Sequence, residues 1–131
     1  MNKKIEISFN GIIIEAILND TITAQKFLEI LPISSEINLW GNEIYFEIPV
    51  EADIENGKVV MDIGNIAFWP PGNALCIFFG PTPASTDSRP RAASAVTVIG
   101  KITETSSISE IKKIKPTDCI EIRIKKIYKR N

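Results

Sequence analysis

Glu43, Tyr45 and Glu47 alternate along one short run, and Thr82, Ser85, Thr86, Asp87, Arg89 and Arg91 gather in one stretch without periodicity. Two carboxylates four positions apart on a strand share a face, which suits general acid–base work and equally describes a solvated face. An arginine among hydroxyls can hold a carbonyl or carboxylate with two parallel N–H bonds, or simply lie in water on a loop. The hydroxyls of Thr82, Ser85 and Thr86 also fit ordinary turn chemistry. Trp40, Tyr45, Phe46, Trp69 and Phe79 supply aromatic surface for a groove or for a core. Phe46 shares its phase with Ile44 and reads as core. Trp69 stands at a turn edge, where its indole N–H can reach water or a ligand. The candidate ligand-binding groove is therefore Tyr45, Trp69, Phe79, Thr82, Ser85 and Arg89.

The chain contains no histidine. That excludes Ser-His and Cys-His nucleophile pairs and histidine metal ligation. Two separated cysteines, Cys76 and Cys119, cannot build a structural zinc site alone, and no carboxylate loop signature for a hard cation is present. No metal and no cofactor is expected. Both cysteines fall in apolar, strand-like runs and read as buried free thiols. The net charge is −1. Residues 29–62 carry eight acidic groups against Lys58, and residues 112–130 carry eight basic groups against Asp118 and Glu121. These read as solvated faces that partly neutralise each other. Stacking aromatics do not interleave the basic stretch, Tyr128 apart, so no nucleic-acid partner is expected. No apolar run approaches the ~20 residues of a membrane span, and the alternation after Met1-Asn2-Lys3-Lys4 leads us to expect no signal peptide. A cytoplasmic protein of one domain, residues 1–131, is the expectation; the oligomeric state stays open.

The elements that must position these groups are mostly strands. Ile5, Ile7 and Phe9 alternate with polar residues, and Asn10-Gly11 is a strong hairpin signal. Ile12 to Leu18 returns as a second strand, apolar on both faces and so more buried. Ala24, Phe27, Leu28 and Leu31 mark one helical face between cap oxygens at Asp20 to Thr23 and a stop at Pro32. Such a short helix needs packing and should cover an opening in the sheet. Strands follow at Ile37 to Trp40, Glu43 to Ile48 and Val59 to Ile63. Next come Ile66 to Trp69 and Ala74 to Phe79, joined by the rigid turn Pro70-Pro71-Gly72-Asn73. There Gly72 is expected to take a positive φ. Residues 81–93 are loop-like, and Ser94 to Thr103 resumes strand character. Ser107-Ile108-Ser109-Glu110 fits a capping box, with Ile108, Ile111 and Ile114 on one helical face. Ile120, Ile122 and Ile124 form a last strand that slips phase at Lys126-Ile127. The whole is mainly β: a closed eight-stranded antiparallel barrel with two short helices, since closure removes exposed edges.

Leu39-Trp40-Gly41-Asn42-Glu43-Ile44-Tyr45-Phe46, the run Asp62 to Gly72 with its Trp-Pro-Pro-Gly, Ala74 to Pro83 with Phe-Phe-Gly-Pro-Thr-Pro, and Ala93 to Gly100 together resemble the small prokaryotic cyclophilin-like proteins. The resemblance spans nearly the whole chain and implies a cyclophilin-type barrel with helices closing its ends. Cyclophilins turn an X-Pro bond with an arginine that favours the pyramidal prolyl nitrogen of the transition state, beside a phenylalanine, a glutamine, a tryptophan and a histidine. Here the Trp40–Phe46 region has no arginine, and Ile77 stands where the glutamine strand is expected, with Phe79 left to line a pocket floor. The expectation is a cyclophilin-like binding module for a peptide or small molecule that lacks efficient prolyl isomerase activity. The alternative is a peptidyl-prolyl isomerase that recruits Arg89 or Arg91, or another activity that uses Glu43, Glu47 or Asp87.

Overall fold

A computed structural model describes residues 3–125. It contains ten strands: β1 Lys3–Phe9, β2 Ile12–Leu18, β3 Ile33–Glu36, β4 Asn38–Leu39, β5 Glu43–Glu47, β6 Lys58–Val60, β7 Asn65–Trp69, β8 Ala74–Phe78, β9 Arg91–Ile102 and β10 Cys119–Ile124. Two short helices accompany them, α1 Ile22–Glu29 and α2 Ile108–Ile111. All ladders are antiparallel, in the order β3-β10-β1-β2-β9-β7-β8-β5-β4, with β6 paired to β9. The ladder path has two ends, β3 and β4, and no ladder joins them among the described residues. The strand count exceeds the expected eight, and β3 falls in a stretch, Ile33-Ser34-Ser35-Glu36, whose short polar side chains hide a strand. β6 is shorter than the run Val59 to Ile63 implied, because Met61 N–H leaves the ladder to bond Pro90 O in the long loop.

Local chemistry accounts for most elements. In the first hairpin Phe9 pairs with Ile12, and Asn10 and Gly11 both take positive φ, 50° and 78°, which matches the twist of a two-residue hairpin. β2 is half-buried rather than buried on both faces: Ile14, Ala16 and Leu18 point inward, whereas Ile13 is 58% exposed. Thr21 caps α1 by accepting from Ala24 N–H, and Ala24 and Phe27 enter the main core. Ser107 caps nothing. It already lies in helical geometry at the end of a 3-10 turn, so its hydroxyl cannot reach back, and the expected capping box does not form. Ile111 and Ile114 are buried as their spacing predicts. The phase slip expected at Lys126-Ile127, like Tyr128, lies outside the described residues.

A contact far apart in sequence anchors α1. The Glu55 carboxylate accepts from the N–H groups of Ile22 and Thr23 at 2.9 and 2.8 Å and from the Thr23 hydroxyl at 2.8 Å. Glu55 N–H donates to the buried Thr97 hydroxyl at 2.9 Å. Burial opposes ionisation of Glu55, but the hydrogen bonds from Thr23 and Ile22 outweigh it and hold the carboxyl below its ordinary range. This stabilisation is present above the unfolded-state pKa and is lost as acid protonates the group. Glu55→Ala should cost about 1–2 kcal/mol in urea unfolding at pH 7, by loss of a helix cap and of a hydroxyl's partner. A change below a few tenths would show that α1 does not depend on this anchor.

The buried side chains form two clusters. The larger contains Ile5, Ile7, Ile44, Phe46, Phe68 and Ile99, with Phe27 laid in from α1. The smaller lies across β5, β8, β7 and β9 from it, around Met61, Ala67, Cys76, Phe78 and Val96. Every residue of β8 is consequently buried. The expected neutralisation between the basic C-terminal stretch and the acidic residues 29–62 does not occur among the described ion pairs. Arg123 pairs with Glu6 and Glu121, Lys125 with Glu15, and Lys113 with Glu110. Cross-strand register sets Arg123 opposite Glu6, whereas Lys113–Glu110 and Arg123–Glu121 are local pairs three and two positions apart. No helix among the described residues is long and apolar enough to cross a membrane.

Candidate functional site

On the face of β5, β8 and β7 that carries the smaller cluster, a cavity of about 280 Å³ opens. Its aromatic lining is Trp40, Tyr45, Trp69 and Phe78; its polar groups are Glu43 and Cys76; Ala92, Ala93 and Val96 of β9 complete it. Strand pairing brings these together. Tyr45 lies opposite Cys76 and Glu43 opposite Phe78, while Trp69 faces Ala74. With a side-chain period of two, Glu43 and Tyr45 share one face, and Ile44, Phe46 and Ile48 turn to the main core.

Trp69 is held on two sides. Its indole N–H donates to the Ser94 hydroxyl at 2.7 Å, so the expected bond to water or ligand is already used inside the protein. Its ring passes close over Gly72, where an added Cβ would lie 2.9 Å from Cζ3 and 3.0 Å from Cε3. Gly72 is required for this space and not for a positive φ. Asn73 takes the left-handed conformation instead, at φ 47°, and closes the 3-10 turn Pro70–Gly72 by donating to Pro70 O. Gly72→Ala should therefore displace the Trp69 ring and cost about 1–3 kcal/mol. The shift of the Trp69 indole N–H resonance reads this out, and an unmoved resonance would contradict the packing described.

Glu43 is buried, the residue being only 7% exposed, and it has no cationic partner among the described residues. Burial pushes its carboxyl up to about 7, and a hydrogen bond with the Cys76 thiol offsets part of that. Burial, followed by the neighbouring Glu43 charge and that hydrogen bond, pushes the Cys76 thiol far above its ordinary range. Cys76 is thus a neutral thiol at physiological pH and a poor nucleophile. Cys119, expected to be buried, is exposed on β10.

The other candidate residues fall elsewhere. Phe79 is 3% exposed and belongs to the main core. Thr82 and Ser85 build the loop between β8 and β9. The Thr82 hydroxyl donates to Arg91 O, and Ser85 Oγ accepts from Thr82 N–H at 2.9 Å and donates to Arg89 O at 2.7 Å. Arg89 forms an ion pair with Asp87 at 2.7 Å, with its side chain 62% exposed. Hydrogen bonds from Arg89 hold the Asp87 carboxyl down to about 2. Arg91 is half-buried at the start of β9. Neither arginine lines the cavity. Glu47 is exposed, so it does not pair with Glu43 as an acid–base couple. Among the described residues no group of three or more His, Cys, Asp or Glu is placed to hold a metal ion.

Of the groove residues expected from sequence, Tyr45 and Trp69 line this cavity. Glu43 and Cys76 emerge as its polar floor. The signal for them lay in Ala74 to Phe79, where an unbroken apolar run marks a strand covered on both faces. Glu43, paired opposite Phe78 at one end of that strand, is covered with it, whereas Glu47, opposite Ala74 at the other end, is exposed.

With this geometry in hand, comparison with known proteins identifies the class. The cyclophilin-like family's sequence model matches residues 3–123. The chain belongs to the cyclophilin-like family, among its small prokaryotic members. It is similar to a hypothetical protein from Archaeoglobus fulgidus whose solution structure is known, at 36% identity and a TM-score of 0.75, covering 93% of this chain and 94% of that one. No curated protein matches it.

Proposed function

We propose that this protein is a cyclophilin-like binding module that holds a small molecule or a peptide side chain in the Trp40–Tyr45–Trp69 cavity and does not catalyse prolyl isomerisation efficiently. The observation that carries this reading is the cavity itself: it is open, aromatic-walled and braced, with no arginine in its lining. Its volume is near the lower end for ligand pockets, roughly 300–1,000 Å³, which suits a small group. Isomerase catalysis of the cyclophilin kind needs a donor at the prolyl nitrogen; Arg89 is ion-paired with Asp87, and Arg91, at the start of β9, is not in the cavity lining. Two finer points accompany the reading. One is a closed barrel, supported by Ile37 joining β3 to β4 while exchanging backbone hydrogen bonds with Asp118 and Thr117. The other is a cytoplasmic location without a nucleic-acid partner.

A protease-coupled assay of cis/trans isomerisation over a panel of X-Pro peptides tests the reading, with Arg89→Ala and Arg91→Ala alongside. The expected result is no acceleration by any of the three proteins. Acceleration by the parent that disappears in one variant would establish an isomerase with a relocated arginine.

A further inference from the structure

Glu43 is more than nine-tenths buried, and the polar group beside it in the lining is the neutral thiol of Cys76, which donates to Ala74 O at 3.9 Å. Buried carboxylates are ordinarily paired, and the described residues supply no cation to this one. Around it stand the rings of two tryptophans and a tyrosine, and no lysine or arginine shares the lining. Ring faces carry negative quadrupole density, so rings and carboxylate favour the same sign of guest.

We propose that the cavity receives an alkylated ammonium group, its nitrogen over the Glu43 carboxylate and its methyl groups against Trp40, Tyr45 and Trp69. This rests on the binding-module reading and names the ligand class. A primary ammonium or a guanidinium fits less well. Each brings several N–H donors, and apart from Glu43 the polar side chains of the lining are one thiol and one phenol. A methylated nitrogen has fewer donors or none, gives up less hydration and gains apolar contact. The group could be carried by a free small molecule or by a methylated lysine of another protein, and the cavity chemistry is the same for both.

The test is a titration at pH 8 followed by tryptophan fluorescence and indole N–H resonances. The probes are tetramethylammonium, choline, a trimethyllysine peptide and 3,3-dimethylbutan-1-ol, the neutral isostere of choline. Choline should bind at least about tenfold more tightly than its isostere, a coupling common for a desolvated cation–π and carboxylate site. The titratable side chains facing Glu43 across the cavity are Cys76 and Tyr45, and the raised Cys76 thiol stays neutral between pH 5 and 8. Affinity should therefore fall about tenfold per pH unit below 7. Glu43→Gln should erase most of the preference for cation over isostere. Tighter binding of choline would indicate a free ligand, and of the peptide a methylated protein; either supports the proposal. Equal binding of the isostere, or a preference that survives Glu43→Gln, would overturn the cation and leave a binding cavity standing. No response to any cation would also overturn it. Neutral fragments and X-Pro peptides in the same titration then decide the binding reading by themselves.

Discussion

Glu43→Gln should make the protein more stable above pH 7 and change little near pH 4.5. Proton linkage sets the sign. Burial raises the folded-state carboxyl from its ordinary value of 4.5 to about 7. Between those values the folded state holds more protons than the unfolded state, so stability falls as pH rises through the window. Above pH 7 the folded protein carries a buried, unpaired carboxylate, and below pH 4.5 both states are protonated and the penalty is gone. Each pKa unit corresponds to about 1.4 kcal/mol, and partial access of water to an open cavity reduces the total, so a gain of about 2–3 kcal/mol is expected in the variant at pH 8. Glutamine keeps the shape and removes the charge. Urea midpoints for both proteins across pH 4–9 check this: the parent should decline through the window relative to the variant. Parallel profiles would mean that Glu43 is hydrated or paired in solution. A side chain that weakens the fold at neutral pH is not there to hold the fold together, and this supports assigning it to ligand recognition.

Phe27→Ala should cause the largest loss of stability of any substitution considered. Phe27 is 0% exposed and joins α1 to the main core. An eight-residue helix has little stability of its own, so its place depends on this anchor, on Thr21 and on Glu55. Truncation removes the transfer free energy of a ring and leaves a void that neighbouring isoleucines fill only in part. Phe→Ala changes in cores cost about 3–5 kcal/mol, a large share of the 5–15 kcal/mol typical of a whole domain. A shift in the urea midpoint at unchanged slope would report it. A loss under about 1 kcal/mol would show that α1 packs loosely and does not close the core.

The contrast between these residues explains what was legible in the sequence. Phe27 could be read as core because helix spacing, the cap and Pro32 agreed. Ile44, Phe46 and Ile48 could be read as inward because strand alternation is strict there. Glu43 was harder: alternation puts it opposite Ile44, but says nothing of whether that outer face meets water or another layer. The second layer is built by residues distant in sequence, Met61, Ala92 and Val96, and pairing between β6 and β9 brings them there. The same non-locality misled the reading of Phe79, one residue past β8 and turned into the main core. It also hid Ser94, which takes up the Trp69 indole N–H; the Asp87–Arg89 pair, by contrast, is local, two positions apart in one loop. Local turn chemistry misled in one place, because asparagine at position 73 adopts the left-handed conformation that glycine at 72 was expected to supply.

The central claim is that the Trp40–Tyr45–Trp69 cavity is a binding site and not an isomerase centre. The most direct measurement is a ¹H–¹⁵N NMR titration with a library of small fragments and X-Pro peptides, with exchange spectroscopy on the prolyl signals of the same samples. The account predicts ligand-induced shifts centred on Trp40, Tyr45, Trp69 and Glu43, with cis and trans prolyl signals exchanging no faster than in buffer. Shifts confined to other surfaces, or prolyl exchange accelerated at substoichiometric protein, would contradict it.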